Sequence, residues 1–223
     1  MARNASGHTE GGLSQNDSQL DSHRGFEWAR SATAQKSEQG MDSRAKKVVA
    51  NIINRDFSTD RPLQKWATDV SQFTLPWGKC YLSPILDMNT NEIISYKLSL
   101  SPNMEQIKDM LHNAFERFPS VNELIMHSDQ GWQYQHATYR SELREHKIIQ
   151  SMSRKGNCYD NCIMETFFGR LKNEMLYGCE KEYTSFEVFS KAISDYIDYY
   201  NNRRIQAKTK WMPPVKFREA SMM

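Results

Sequence analysis

The sequence predicts an α/β fold in which a mixed five-stranded sheet is flanked by helices. Residues 65–73 (KWATDVSQF) alternate apolar and polar side chains with the period of two that is typical of a half-buried strand. Two further strand-like runs follow, and from residue 103 onward helical and strand-like patterns alternate. A chain of 223 residues with 39% hydrophobic and 11% aromatic residues is long enough to build such a core.

The first three strands are predicted to form an antiparallel meander. The first strand contains Asp69 in its middle, the second covers KCYLSPILDMNT, and the third is IISYKLSLS. Aspartate is depleted within strands, so Asp69 is the least ordinary residue of this region. Asp87 lies near the end of the second strand, and we expect it to cap the polar turn that follows.

Four amphipathic helices are expected after the meander, because apolar residues recur there at i, i+3 and i+4. The predicted helices are MEQIKDMLHNAFERF, HATYRSELREH, IMETFFGRLKNEML and TSFEVFSKAISDYIDYYNN, and the strands NELIMHSD and KIIQSMS lie between the first three of them. In open α/β sheets the functional crevice lies beyond the carboxyl ends of the strands. Asp129 lies at the end of one such predicted strand.

The chain divides into four regions by composition. Residues 1–43 are rich in small and polar residues without apolar periodicity, which predicts a disordered or weakly structured arm. Residues 44–61 are predicted to form a basic linker or a short helix. Residues 62–178 form the expected folded core, and residues 179–223 the C-terminal helix and a basic tail packed on that core.

Charge and cysteine usage narrow the class of protein. The net charge is only +2, but acidic residues concentrate in residues 62–150 and basic residues on both sides of them, which suits a metal site beside a polyanion-binding surface. The four cysteines lack CxxC spacing, so a zinc site is not supported. No apolar run reaches membrane-spanning length and no signal core begins the chain, so we expect a cytoplasmic protein with no membrane partner.

Three carboxylates have the chemistry of a site for divalent metal. Asp69 lies 60 positions before Asp129, and 35 residues separate Asp129 from Glu165. Magnesium and manganese prefer such oxygen ligands, and two ions held by shared carboxylates catalyse phosphoryl transfer. Lys172 lies seven residues after Glu165, nearly two helical turns, and so shares its face. From the residues alone, a turn role for Asp129 and a solvated position for Glu165 and Lys172 remain open.

Three blocks of the sequence, WATDVSQF, HSDQGWQY and SRKGNCYDNCIMETFFGRLKNE, resemble the signature blocks of insertion-sequence transposases related to retroviral integrases. The tail DYYNNRR, followed by PP and VKF, also resembles the usual ending of that family, so the resemblance runs from about Arg55 to Ala220. It implies a ribonuclease H-like fold with an integrase catalytic core over residues 62–178. It also implies magnesium or manganese, as two ions, and DNA strand transfer through a 3′ hydroxyl.

The resemblance also implies roles for individual residues. Asp69, Asp129 and Glu165 match the catalytic acids and metal ligands of the family. The residues that match expected DNA contacts lie in the loop before the catalytic helix, on that helix and in the tail: Lys155, Asn157, Lys172, Arg203 and Arg204. For Trp132 and Tyr134, stacking on a base and packing in the core are both open.

The implied partners are transposon-end DNA and target DNA, bound by a homo-oligomer in the bacterial cytoplasm and on the nucleoid during the reaction. Two alternatives stay open at this point: a ribonuclease H-like nuclease, and a truncated, non-autonomous DNA-binding regulator of transposition. The second alternative arises because relatives usually carry a helix-turn-helix-like region upstream of the core. Residues 1–43 lack the apolar periodicity of such a region.

Overall fold

The computed structural model describes residues 49–121 and 123–223. The predicted arm, residues 1–43, and the first part of the predicted linker, residues 44–48, lie outside the described residues. Residues 49–61 form bends and turns. Ile53 is buried in the core, so this segment packs on the folded domain.

The sheet has six strands, not the predicted five. They are β1 (Lys65–Thr68), β2 (Ser71–Leu75), β3 (Gly78–Asp87), β4 (Ile93–Ser99), β5 (Ile125–Ser128) and β6 (Ile149–Met152). β1 and β2 pair end to end with the long strand β3, whose other edge pairs with β4. β1 also pairs in parallel with β5, and β5 with β6. The sheet is therefore mixed, as predicted, and its strands occupy five side-by-side positions.

The extra strand arises because the predicted first strand is interrupted at Asp69. β1 and β2 pair with β3 in one continuous register, which places Asp69 opposite Pro84. Proline has no N–H to donate to the ladder. The Val70 N–H instead donates to Asp69 Oδ1 at 2.8 Å, and the Thr68 hydroxyl donates to the Pro84 carbonyl at 2.9 Å. Asp69 thus lies in a gap between two strands, not in the middle of one.

The four predicted helices are all present, and the described residues form two more α-helices that the periodicity did not reveal. The helices are α1 (Met104–Arg117), α2 (Trp132–Gln135), α3 (Ala137–Glu145), α4 (Cys162–Leu171), α5 (Phe186–Asn202) and α6 (Pro214–Met222). Asn103 and Ser185 cap α1 and α5 through their side chains, as N-cap residues of these types do. Among the described residues no helix is long and apolar enough to cross a membrane.

Two apolar clusters cover the two faces of the sheet. Successive strand residues alternate between them: Trp66 belongs to one cluster, and Ala67 to the other. The Ala67 cluster contains the buried faces of α4 and α5, and the Trp66 cluster those of α1 and α3. The sheet is therefore sandwiched between helical layers, which fixes where its strand ends open to solvent.

The C-terminal segment packs against the turn between β3 and β4. Asn91 donates to Gln206 Oε1 at 2.9 Å and accepts from Lys208 Nζ at 3.2 Å. Arg218 on α6 donates to the buried carboxylate of Glu92 at 2.7 Å. These polar contacts fasten the tail to a turn more than one hundred positions earlier in the chain.

Candidate active site

Asp69 and Asp129 follow the ends of two neighbouring parallel strands. Ala67 in β1 pairs with His127 in β5, and this offset of 60 positions continues to the two aspartates. Each aspartate comes directly after the last residue of its strand, so both lie at the same level of the sheet. Neighbouring strands are about 4.8 Å apart, which brings the two side chains together. The interrupted strand is thus what frees Asp69 to face Asp129.

The two aspartates share a poorly hydrated position. Burial raises the pKa of Asp69 well above its ordinary value, and the nearby Asp129 and Glu165 carboxylates raise it further, while Lys172 lowers it. Burial also raises the pKa of Asp129, against a hydrogen bond from the Gly131 N–H at 2.8 Å. No described residue donates a hydrogen bond to the second oxygen of either carboxylate. A bound cation would remove this repulsion.

Glu165 lies in the first turn of α4, on the border of its buried stripe. The residue is exposed, and partial loss of hydration raises the pKa of its carboxyl. Asp69 is close enough to Glu165 for the two charges to interact. Asp69 therefore interacts with both other acids, and Glu165 is the most exposed of the three.

The acids differ in how closely they converge. Within the part of the chain that the structure describes, no three His, Cys, Asp or Glu side chains form a group tight enough to hold a metal ion. The pair of Asp69 and Asp129 nevertheless fits magnesium, which is usually held by one or two carboxylates, several waters and substrate phosphate. The site therefore has the oxygen donors for one ion, and Glu165 stands back from the pair.

Gly131 leaves room for the Asp129 carboxylate. A Cβ added at this position would lie 2.9 Å from Asp129 Oδ1 and 2.6 Å from Gln133 Nε2. The Gln133 side chain can move at little cost, but Asp129 Oδ1 also accepts the Gly131 N–H. Any side chain at Gly131 would therefore displace the carboxylate.

Gly131→Ala should lower the rate of a metal-dependent reaction at this site by about 10–100-fold, because displacements of about 1 Å have effects of this size. The melting temperature should change little, since the backbone φ of Gly131 is −54°, which alanine adopts easily. Gly169→Ala is the matched control, because nothing lies within 4 Å of a Cβ at Gly169. An unchanged rate at saturating magnesium in Gly131→Ala would contradict this role.

The aromatic residues after Asp129 face in different directions. Tyr134 is fully buried, its hydroxyl lies 3.4 Å from Thr68 Oγ1, and its ring packs 5.2 Å from that of Tyr139. Tyr134 is therefore a core residue beneath the aspartate pair and cannot stack on a base. Trp132 is 54% exposed and begins α2 three residues after Asp129, so it remains available for stacking.

Lys172 lies on the acid side of the domain. Its Nζ is 5.5 Å from the centre of the Phe73 ring in β2. Burial lowers the pKa of this amine, and the nearby Asp69 raises it. Lys172 is also the first residue of a π-helical turn, Lys172–Leu176, that ends the helix, and such turns are frequent at functional sites.

The other predicted DNA contacts are dispersed. Lys155 is exposed and Asn157 partly exposed, in the loop before α4. Arg203 pairs with Asp198 at 3.1 Å on the exposed side of α5. Arg204 pairs with Glu174 at 2.6 Å, and it lines a cavity of about 500 Å³ against the other side of α4. The structure therefore groups Lys172 with the acids and separates Arg204 from them.

Sequence reasoning missed the role of Asp160. Asp160 and Asn161 come just before α4, and residues of these types are common N-caps. Asn161 occupies the N-cap position, yet its side chain makes no capping hydrogen bond to a described residue. The Asp160 carboxylate is buried and pairs with Arg55 and Arg154, each at 2.9 Å. Arg55 lies 105 positions away, so no local pattern could have revealed this contact.

Comparison with known proteins supports the arrangement. Residues 59–158 and residues 165–222 match two family models that are both described as integrase core domain. Asp69 and Asp129 fall in the first match, and Glu165 begins the second. The chain is also similar to the human T-cell lymphotropic virus 2 integrase catalytic core domain in complex with magnesium (trimeric form), with a TM-score of 0.59 at 13% identity, over 72% of this chain and 99% of that one. This likeness confirms the ribonuclease H-like fold.

Relatives in bacteria are closer in sequence. An uncharacterized transposase-like protein of Haemophilus influenzae is 50% identical over 175 residues, which cover 78% of this chain and 80% of that protein. The putative transposase InsK for insertion sequence element IS150 of Escherichia coli is 44% identical over 176 residues, or 79% of this chain and 62% of its own length. The chain thus spans about three-fifths of the IS150 transposase. With these matches, the chain belongs to the insertion-sequence transposases that carry an integrase core domain.

Proposed function

We propose that this protein catalyses metal-dependent cleavage and strand transfer of transposon-end DNA, with Asp69, Asp129 and Glu165 as the catalytic acids. The observation that carries the proposal is the pair of half-buried aspartates with raised pKa at adjacent strand ends. The chain belongs to a family whose members transfer polynucleotide strands, and this supports strand transfer as the type of reaction. The magnesium complex of the similar retroviral core adds the cofactor.

Some of these residues would bind the metal and others would bind the DNA. Asp69 and Asp129 would hold divalent metal, Mg²⁺ or Mn²⁺, and Glu165 would complete the ligand set as DNA binds. With the ligand set completed in this way, two ions would activate the attacking hydroxyl and stabilise the leaving oxygen. Lys172 would contact a phosphate beside the acids, because its ammonium lies on their side of α4.

The other predicted contact residues would bind the DNA at positions farther from the three acids. Lys155 and Asn157 stand in the loop that leads to the catalytic helix, and Arg203 is exposed at the end of α5. Arg204 would need to leave Glu174 to bind phosphate, so we propose it as the weakest of these contacts. Two DNA ends must be held together for transposition, which implies at least two copies of the chain on DNA.

Strand transfer on labelled terminal-repeat DNA tests the proposal, with magnesium or manganese and with the Glu165→Gln variant. We expect joining by the wild type and a loss of at least about 100-fold in the variant, because ligand loss removes several kcal/mol of transition-state stabilisation. Glu105→Gln is the charge-matched control, since Glu105 is exposed on α1.

Three results would contradict the proposal. Joining at the wild-type rate by Glu165→Gln would remove the acid from the mechanism. Hydrolysis of RNA–DNA hybrids without joining would indicate a nuclease. DNA binding without chemistry, unchanged in Glu165→Gln, would indicate a regulator of transposition.

A further inference from the structure

A buried carboxylate joins the segment before β1 to the loop that leads into α4. The Asp160 side chain is fully buried and accepts hydrogen bonds from Asn51 Nδ2 at 2.9 Å and from Arg55 Nε at 2.9 Å. It also accepts three from Arg154: from the backbone N–H at 3.0 Å, Nε at 2.9 Å and Nη2 at 3.0 Å. A buried charge is stable only when it is paired and hydrogen-bonded in this way. We call these four residues the Asp160 clamp.

The backbone of Asp160 is fastened as well. Its carbonyl oxygen accepts a hydrogen bond from His127 Nε2 at 2.8 Å, so that nitrogen carries a proton. His127 Nδ1 lies 2.9 Å from Ser151 Oγ, which in turn accepts the backbone N–H groups of Ile52 and Ile53. The same upstream segment is thus bound to Asp160 both directly and through the histidine two residues before Asp129.

The Asp160 clamp lies at a helix end that has no side-chain cap within the described residues. A 3₁₀ turn, Cys158–Asn161, leads directly into α4, and the N-cap side chain of Asn161 makes no hydrogen bond with the described residues. Glu165 follows Asp160 by five residues, or about 7.5 Å of helix rise. Glu165 does not form a tight group with the two aspartates. Small shifts of this helix end would therefore change the distance from the Glu165 carboxylate to Asp69 and Asp129.

We propose that Asp160 is a positioning residue that sets the distance of Glu165 from Asp69 and Asp129, and that Arg55 and Asn51 hold it in place. This inference rests on the proposed function of the three acids. Arg55 and Asn51 lie upstream of residue 59, where the match to the integrase core model begins. The working catalytic unit therefore includes the segment that leads into the core, and whatever moves that segment moves Glu165.

Amide hydrogen exchange tests the proposal without reference to activity. Arg55→Ala should speed exchange of residues 161–166 by about 10-fold, because a lost hydrogen bond to a charged group lowers the free energy of local opening by this order. Arg55→Lys should restore much of the protection. Arg61→Ala is the matched control, because Arg61 is an exposed arginine of the same segment. Unchanged exchange in Arg55→Ala would overturn the proposal.

Kinetics separate positioning from DNA binding. Arg55→Ala should lower the rate of strand transfer at saturating DNA by about 10-fold, with the dissociation constant for DNA changed less than threefold. In the Asp160→Ala background, Arg55→Ala should have no further effect on the rate, because no side-chain oxygen is left to accept from Arg55. A weaker DNA affinity with an unchanged saturated rate would make Arg55 a phosphate contact and overturn the proposal. If wild type joins no DNA, the proposed function fails while the exchange result still decides whether the clamp orders α4.

Discussion

Asp69→Asn should abolish strand transfer and, with metal removed by chelation, make the folded domain more stable than the wild type at neutral pH. The loss of activity is expected because the aspartate pair is the best-formed part of the metal site, and we expect a reduction of at least about 100-fold. The gain in stability is expected because asparagine carries no charge beside Asp129. Its side-chain oxygen can still accept the Val70 N–H.

The effect on stability should depend on pH in a definite direction. The pKa of Asp69 is raised from its ordinary value near 3.8, so the folded chain binds more protons than the unfolded chain above that pH. The contribution of Asp69 to the stability of the wild type therefore falls as the pH rises from the ordinary value through the raised one. The variant lacks this loss, so its advantage should be absent near pH 4 and grow towards pH 8.

Metal should reverse the order of stability. Magnesium or manganese binds the folded wild type, which raises its melting temperature by mass action, and it should not stabilise Asp69→Asn. Thermal unfolding with and without metal, at pH values between 4 and 8, measures both effects. Asp60→Asn is the control, because Asp60 is exposed. If the advantage of Asp69→Asn over the wild type in chelator does not grow with pH, the two aspartates do not repel each other as described.

Glu92→Gln should have the largest effect on stability outside the apolar core. The Glu92 side chain is fully buried and pairs with Arg117 on α1 and Arg218 on α6. Removal of one partner of a buried ion pair typically costs 3–5 kcal/mol, and we expect about 3 kcal/mol because both arginines are partly exposed and regain water. Urea unfolding should show a lower midpoint with an unchanged slope.

The surface pair of Lys191 and Asp195 provides the comparison for this loss. Both side chains are largely exposed, one turn apart on α5, and such pairs contribute little. Lys191→Ala should therefore leave the midpoint unchanged within error. If Glu92→Gln unfolds at the wild-type midpoint, the attachment of α6 to the turn between β3 and β4 is not a source of stability.

Much of the site could be predicted because its signals are local. Asp129 follows a short apolar strand, and Glu165 borders a stripe that recurs every three or four residues. The spacing of 35 residues between them links the two in a familiar block pattern. Such patterns depend only on neighbours in sequence, so they can be recognised without knowledge of the fold.

Other features could not be predicted from the sequence, because they depend on contacts between residues that are far apart in the chain or on which side of a helix is buried. The split of the first strand required knowing that Asp69 faces Pro84 across the ladder. The different fates of Trp132 and Tyr134 depend on which side of a short helix faces the core, and a four-residue helix has no readable period. The pairing of Arg204 with Glu174 joins residues 30 positions apart.

The sequence by itself predicted the three acids that we propose as catalytic, the four principal helices and the class of fold, because periodicity and block spacing express local preferences directly. Only the tertiary structure decided how those acids are held. The level at which Asp69 and Asp129 meet comes from a strand register, and the Asp160 clamp joins residues about one hundred positions apart. Long-range contacts of this kind lower the energy of one particular fold. They produce no periodic pattern in the sequence, so they cannot be predicted from it.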